Sequence, residues 1–247
     1  MVMESAFYST LQISLMTIIE RVPTGVDGLD RMLRGGFPRG RTILLLGGPG
    51  SGKTILSVQF LYKGIYDHGE NGVYVSLDES RGHLYREMEA FGWRLEDAER
   101  ERRLLFIDAH PRRMRFDIGR LKSRIRDAVD EVSAKRIVID PLTSLTLIYP
   151  DVVRRREVIL ELFSLLDSLG TTNIATLELR ARGLERGVQL EEYLAHGVII
   201  LQRIRADRGL VRTIEVEKMR GVDHDDQPRP YRITDRGLEV YAEEQIF

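Results

Sequence analysis

Short apolar runs alternate with longer amphipathic segments between residues 27 and 177. We predict buried strands over residues 42–46, 73–77, 104–107, 136–139 and 173–177. Apolar residues at helical spacing predict helices over residues 27–33, 55–68, 80–91, 117–133 and 152–169, with Ser80 as the cap of the third. Because strands and helices alternate, we expect an α/β fold with a mostly parallel sheet covered by helices on both faces.

The pattern changes after Leu190. Apolar residues in 198–201, 211–216 and 231–240 predict strands joined by short turns, one of them at Asp207-Arg208-Gly209. These strands are expected to extend the parallel sheet in antiparallel fashion. Since the chain has no internal repeat and no low-complexity linker, we predict one domain over residues 21–247, preceded by an N-terminal extension of residues 1–20.

Composition narrows the classes of function. The 247 residues are 43% hydrophobic and 30% charged, which suffices for a sizeable core. A formal net charge of −1 gives no overall bias toward nucleic acid or membrane surfaces. The absence of cysteine excludes disulfides, thiolate metal sites and cysteine nucleophiles.

The segment from Leu11 to Ile19 is apolar but has no basic residues ahead of it and no small-residue cleavage site, which argues against a secretory signal. No run approaches the roughly 18 apolar residues of a membrane span. We therefore expect a cytoplasmic protein without membrane contact. Three interpretations of this segment remain open: it is an added strand, it binds a partner, or the chain truly starts at Met16.

The strongest motif is the GGPGSGKT segment of residues 47–54, which fits the phosphate-binding pattern G-x-x-x-x-G-K-[ST]. A predicted strand precedes it and a predicted helix follows it, which disfavours an ordinary glycine-rich turn. Lys53 is expected to reach the β- and γ-phosphates of ATP, and the Thr54 hydroxyl to hold Mg²⁺. The predicted nucleotide contacts of this segment are Gly48, Pro49, Gly50, Ser51, Gly52, Lys53, Thr54 and Ile55.

Carboxylates follow two of the predicted strands. Asp140 ends the strand over 136–139, where a carboxylate can order Mg²⁺. Asp78 and Glu79 follow the strand over 73–77, at the edge of the sheet where open α/β folds bind ligands. Glu79 is a candidate base for the attacking water and a candidate metal ligand, with Asp78 as a second catalytic carboxylate. Capping of the next helix by this acidic pair is the alternative, and position alone does not decide between them.

Lys218 and Arg220 follow the strand over 211–216. Alternation along a strand directs both side chains to one face, from which two cations can reach a phosphate as an arginine finger does. The alternative is that Lys218 and Arg220 form a basic edge of the sheet that is exposed to solvent and contacts no phosphate.

Several segments occur in an order that resembles a known family. They are VPTGVDGLD (22–30), GGPGSGKT (47–54), VYVSLDES (73–80), FGW (91–93), RIVIDPLTSL (136–145), KMRG (218–221) and YRITDRGLEV (231–240). Together they identify the chain as similar to a single-domain member of the KaiC-like ATPases within the RecA superfamily. The match runs from about Arg21 to Tyr241.

The resemblance implies a RecA-type core that binds ATP and Mg²⁺ at the subunit interfaces of a homo-oligomeric ring, expected to be a hexamer. Asp78-Glu79 falls on the catalytic carboxylate pair, although Glu is more typical at the first position. Lys218 and Arg220 fall on the basic pair that reaches the neighbouring subunit's nucleotide. Three further residues fall on positions that contact that nucleotide from the adjacent chain: His224, Thr234 and Asp235. A solvated loop position for His224 and a turn-forming role for Asp235 are the alternatives.

The chain also departs from the family pattern. The clock protein has two such domains, and its autophosphorylating domain carries Ser-Thr where this chain reads Glu192-Tyr193. We therefore expect neither self-phosphorylation at that site nor a circadian role. The leading hypothesis is ATP hydrolysis coupled to the binding of an unidentified protein partner. A further hypothesis is a nucleotide-gated binding module that does not hydrolyse ATP and acts as a regulator.

The alternative function is that of a recombinase paralogue that binds single-stranded DNA in repair. Arg180, Arg182 and Arg186 follow the strand over 173–177, and a second basic cluster spans residues 112–116. Base stacking needs several aromatic residues, and these segments contain only Phe116. Acidic residues also dilute the first cluster, so nucleic acid is the less favoured partner.

Overall fold

The computed structural model describes residues 19–110, 116–179, 181–182, 185–206 and 209–246. Its helices are α1 (Asp27–Met32), α2 (Lys53–His68), α3 (Arg81–Glu89), α4 (Leu95–Arg100), α5 (Ile118–Val132), α6 (Thr143–Ile148), α7 (Val152–Leu169) and α8 (Leu190–Leu194). Its strands are β1 (Arg21–Val22), β2 (Phe37–Pro38), β3 (Thr42–Gly47), β4 (Gly72–Ser76), β5 (Leu104–Asp108), β6 (Arg136–Asp140), β7 (Thr172–Glu178), β8 (Ala181–Arg182), β9 (Glu185–Arg186), β10 (Gly197–Ala206), β11 (Gly209–Met219), β12 (Arg229–Thr234) and β13 (Gly237–Val240).

Nine strands form one sheet in the order β13-β12-β11-β10-β3-β7-β6-β4-β5. The strands from β10 to β5 are parallel, whereas β11, β12 and β13 are added in antiparallel fashion. The predicted α/β class, with its parallel sheet and antiparallel C-terminal extension, is therefore confirmed. Two small sheets, β1-β2 and β8-β9, are separate from it.

Element boundaries differ from the sequence predictions in a few places. The region 231–240 forms two strands, β12 and β13, with a turn at residues 235–236. Ser80 occupies the N-cap position of α3 but makes no side-chain capping bond, whereas Asp117 and Asp151 cap α5 and α7. The helices α4, α6 and α8 were not predicted, because five or six residues are too few to display helical periodicity.

Two predicted features of the fold lie outside the described residues wholly or in part. Residues 1–18 are among them, so the N-terminal extension stays a prediction. The turn residues Asp207 and Arg208 are also outside, although Ala206 pairs with Gly209 as a hairpin there requires. Among the described residues, no helix is both long and apolar enough to cross a membrane.

The sheet separates two hydrophobic layers. Along β3, Ile43 and Leu45 pack in the layer that contains α2, whereas Leu44 and Leu46 pack with α5 and α7 on the other face. Side chains alternate in this way because successive residues of a strand face opposite sides of the sheet. Both faces of β3 are thus buried, which holds the start of the phosphate-binding segment in a fixed position.

A buried arginine connects β6 to α2. The Arg136 guanidinium donates to the Glu70 carboxylate at 2.7 Å and to the carbonyls of Pro23 and Phe60 at 2.9 and 2.8 Å. A Cβ at position 64 would lie 2.4 Å from Arg136 Nε, so glycine at this position lets α2 approach the guanidinium. Nε and Nη1 of Arg136 each have an oxygen partner. These hydrogen bonds offset part of the cost of burying the charge.

A polar contact lies at the same edge of the sheet, where the parallel strands begin. His196 Nδ1 accepts a hydrogen bond from the Thr42 amide at 3.3 Å, and the ring is half-buried. Burial lowers the pKa of His196, nearby Arg41, Arg220 and Lys218 lower it further, and Asp167 opposes them. The neutral imidazole is therefore the form that the folded protein favours.

This linkage predicts a loss of stability in mild acid. His196 is protonated at a higher pH in the unfolded chain than in the folded protein. The neutral His196 therefore contributes its full stabilisation above about pH 6.5, and this stabilisation declines as the pH falls toward the lower pKa of the folded state. His196→Asn keeps an acceptor for the Thr42 amide and removes the titrating group. Its urea midpoint should fall less than that of the wild type between pH 7.5 and 5.5. Parallel pH profiles for the two proteins would contradict the prediction, and His68→Asn, at an exposed position, is the matched control.

Candidate functional site

The GGPGSGKT segment forms a loop between β3 and α2. Gly50 and Gly52 have φ angles of +68° and +89°, in the left-handed region that glycine adopts without strain. Gly52 is also the N-cap of α2, and Lys53 is its first residue. A loop of this shape directs backbone amides and the positive end of the helix dipole to one point, which is an anion site.

Lys53 lies inside this loop. Its ammonium group donates to the carbonyls of Gly47 at 2.7 Å and Gly48 at 3.1 Å. Burial lowers the pKa of Lys53, whereas Asp140 and Glu178 act to raise it. An anion in the loop would add to the favourable charges, so phosphate binding is expected to stabilise the charged form.

Asp140 joins the loop to the middle of the sheet. Its buried carboxylate accepts hydrogen bonds from Thr54 Oγ1 at 2.8 Å and from the Tyr74 hydroxyl at 2.7 Å. The hydroxyl of Thr176 donates to its other oxygen. A carboxylate and a threonine hydroxyl at the mouth of a phosphate loop are the oxygen ligands that Mg²⁺ uses beside nucleotide phosphates. The residues present therefore fit the predicted metal.

Glu79 follows β4 and lies near Asp140, which contributes to the raised pKa of Glu79. Burial is the main cause of this rise, and Glu87 adds to it, whereas the hydrogen bond from His83 opposes it. A carboxylate with a raised pKa is a stronger proton acceptor. Sequence reasoning missed His83, although its position four residues after Glu79 places it one helical turn away.

Asp78 differs from Glu79 in its surroundings. Its side chain is exposed, and its carboxylate lies 3.7 Å from His110 Nε2. Within the described residues, neither Asp78 nor Glu79 accepts a hydrogen bond from an amide of α3, so the capping alternative has no support. Of the two carboxylates, Glu79 is the more buried and is therefore the better candidate for the base.

Lys218 and Arg220 lie far from this chain's own loop. Lys218 pairs with Val198, which pairs with Leu44, so the lysine is level with the early part of β3 rather than with its end at Gly47. The Lys218 ammonium donates to the carbonyl of Glu192 at 2.6 Å, and Arg220 donates to that of Tyr193 at 2.8 Å. Both cations thus contact the end of α8. This agrees with the prediction that their side chains point to the same face of the strand.

The remaining predicted contacts divide between two places. His224 is half-buried in the loop between β11 and β12. Thr234 ends β12, and exposed Asp235 follows in the turn to β13. The side chain of Ile233, just before Thr234, lies 2.9 Å from the point that a Cβ atom would occupy at Gly52. The hairpin formed by β12 and β13 therefore lies beside the chain's own phosphate loop.

The position of this hairpin concerns one of the predictions. Thr234 and Asp235 are expected to contact the same neighbouring nucleotide as Lys218 and Arg220. Because β12 runs parallel to β3 and starts level with Gly47, its end lies beyond the carboxyl end of the sheet, opposite to Lys218. The hairpin and the basic pair therefore lie at different ends of the sheet, and the subunit whose nucleotide Thr234 and Asp235 contact stays a prediction.

The basic residues considered for DNA lie largely outside the described part of the chain. Arg112, Arg113, Arg115 and Arg180 are outside it, and Arg182 and Arg186 belong to the short strands β8 and β9. The structure therefore adds no observation in favour of a nucleic-acid interface.

A doubly covered parallel sheet with a phosphate loop after β3 and an aspartate at the end of β6 is the arrangement of a RecA-type P-loop fold. The family model for the KaiC ATPases matches residues 22–245. The chain therefore belongs to the KaiC family.

Similar proteins agree with this assignment. A UPF0273 protein of Aeropyrum pernix is 34% identical over 242 residues, covering 93% of this chain and 96% of that protein. The circadian clock protein KaiC3 of Synechocystis is 37% identical over 226 residues, and the match covers 88% of this chain but 45% of that protein. The crystal structure of a KaiC-like protein from Pyrococcus horikoshii superposes with a TM-score of 0.81 at 38% identity, covering 90% of this chain and 99% of that one.

The arrangement around Asp140 predicts a metal-specific defect. Asp140→Asn keeps the size of the side chain but removes the charge that would attract Mg²⁺. We expect ADP affinity in the presence of Mg²⁺ to fall by about tenfold or more, and ADP affinity with a chelator to change little. Calorimetric titration under both conditions measures the difference. Tyr74→Phe, which leaves the carboxylate intact, is the control, and equal losses with and without Mg²⁺ in Asp140→Asn would refute the metal role.

Proposed function

We propose that the protein is a Mg²⁺-dependent ATPase that works as a homo-oligomeric ring, with each nucleotide bound between two subunits. The observation that carries this proposal is the separation of its two charged groups. The phosphate loop and Asp140 lie at the carboxyl end of the parallel strands, whereas Lys218 and Arg220 lie at the amino end. A cation at that end can assist hydrolysis only at the loop of another subunit.

In this proposal, each residue at the loop has one task. The loop amides and Lys53 hold the phosphates, and Thr54 and Asp140 would hold Mg²⁺. The metal ion supplies charge neutralisation at the phosphate oxygens. Glu79 accepts a proton from the attacking water, because burial has raised its pKa and made it a stronger base than an ordinary glutamate.

The neighbouring subunit completes the site. Lys218 and Arg220 would stabilise the negative charge that develops on the transferred phosphoryl group, as an arginine finger does. Their present partners are main-chain carbonyls of α8 rather than carboxylates. A main-chain carbonyl carries no net charge, so these hydrogen bonds do not neutralise the two cations, and a phosphate can replace the carbonyls as their partner.

The basic pair also connects hydrolysis to conformation. Movement of Lys218 and Arg220 toward a neighbour's nucleotide would release the carbonyls of Glu192 and Tyr193 and thus change α8. We infer that the nucleotide state is reported in this way to a protein partner, so the protein acts as a regulator in the cytoplasm. A hexamer is the proposed ring, as the resemblance to the KaiC-like ATPases implies.

Two substitutions test the chemistry at the loop. Glu79→Gln should lower the steady-state rate of ATP hydrolysis by about 10² or more while ADP binding is retained, because only the proton acceptor is lost. Lys53→Ala should weaken nucleotide binding itself. Glu89→Gln makes the same charge change at an exposed position of α3 and should leave the rate near that of the wild type. Full activity in Glu79→Gln would reject the assigned base.

A mixing experiment tests the composite site. Glu79→Gln subunits retain the basic pair, and subunits with both Lys218→Ala and Arg220→Ala retain the loop and the base. Each variant alone should be nearly inactive. Co-assembled rings should recover up to about a quarter of the wild-type rate, since random mixing pairs an intact base with an intact neighbour at one interface in four. No recovery in rings that light scattering shows to be mixed would refute the shared site.

A further inference from the structure

A cavity lies against strands β10, β11 and β12. Its volume is about 690 Å³, within the usual range for small-ligand sites. The walls are formed by β10, β11 and β12 together with the C-terminal residues 241–246. Neither Lys53 nor Thr54 lines it, so it is separate from the phosphate loop.

Three arginines give this cavity its character, and we call it the arginine cavity after Arg203, Arg212 and Arg232. Arg203 and Arg212 stand directly opposite each other on β10 and β11. Like charges in such a cross-strand pair destabilise a sheet unless an anion lies between them. Among the described residues that line the cavity, Glu244 is the single acidic one beside the three guanidinium groups.

These arginines lack the partners that other arginines of the protein have. Within the described residues, none of the three forms an ion pair with a carboxylate, and Arg212 Nε is buried without a hydrogen-bond partner. Arg232 lies over the Tyr241 ring at 5.8 Å, which orients its guanidinium without neutralising it. The walls therefore hold an excess of positive charge with unused donors.

We propose that the arginine cavity is a second anion site, which binds a small phosphate-bearing molecule. Guanidinium groups match phosphate oxygens with paired hydrogen bonds, and a cross-strand pair of them presents donors from two sides. The Tyr241 ring offers an aromatic surface beside them. An inorganic polyphosphate and a second nucleotide share this chemistry, and an aromatic base would distinguish the nucleotide by contact with the ring.

The site is distinct from the phosphate loop but touches its outer surface. The Arg203 guanidinium lies 3.8 Å from the point that a Cβ atom would occupy at Gly50. The Tyr231 hydroxyl donates to the Ser51 carbonyl at 2.5 Å. A ligand in the arginine cavity would therefore lie one side chain away from the loop. Any binding experiment must keep the loop filled, because pyrophosphate also resembles the loop's own ligand.

The test is a calorimetric titration of the full chain saturated with Mg²⁺ and ADP. Inorganic pyrophosphate is titrated in one arm, and further ADP beyond saturation of the loop in another. We expect an additional binding event in at least one arm. Arg212→Gln should weaken it by about tenfold or more, and so should Arg232→Gln. Because Arg232 is exposed, its substitution separates a loss of binding from a loss of folding. Arg126→Gln, which makes the same charge change on α5, should bind as the wild type does.

Three results would overturn the proposal. One is the absence of a further binding event in both arms. Another is equal weakening in Arg126→Gln and Arg212→Gln, which would show attraction by net charge only. The last is tighter binding of a hexaglutamate peptide than of either phosphate probe, since this would assign the cavity to an acidic protein segment. A stronger event with ADP than with pyrophosphate would identify the ligand as a nucleotide.

Discussion

The carboxylate of Asp140 is the group on which the arrangement of the site depends. A buried carboxylate is costly unless its oxygens are hydrogen-bonded, and here three hydroxyls supply the bonds. The donors come from α2, β4 and β7, so one side chain of β6 holds the helix after the loop and two neighbouring strands in register. The same oxygens are candidates for the metal. Structural support and metal chemistry thus share one residue, and a substitution there changes both.

The direction of the strands imposes the second constraint. Parallel strands place all their carboxyl ends at one edge of the sheet, which brings the loop, Asp140 and Glu79 together. The antiparallel return of β11 carries Lys218 and Arg220 to the other edge. Within one subunit these two sets of charges stay apart, so assembly is a chemical requirement of the proposed mechanism rather than an addition to it.

Much of this could be predicted from the chain alone. The period of apolar residues located the main strands and helices, and the loop motif located the nucleotide. The order of the motifs also indicated the family. Short helices such as α6 and α8 escaped prediction because their stability comes from tertiary packing rather than from a periodic pattern. His83 escaped because its role depends on the carboxylate it contacts, and a lone histidine carries no such information in the sequence.

The alternation of strands and helices, the phosphate loop and the two neighbouring cations Lys218 and Arg220 could all be predicted from the sequence, since each depends on residues close together in the chain. The end of the sheet that each group occupies became known only from the fold. Thr234 and Asp235 lie at the carboxyl end beside the phosphate loop, Lys218 and Arg220 lie at the amino end, and Arg203, Arg212 and Arg232 line one cavity. The physical reason is that strand direction and register set these distances, and both follow from long-range hydrogen bonding that no local pattern encodes.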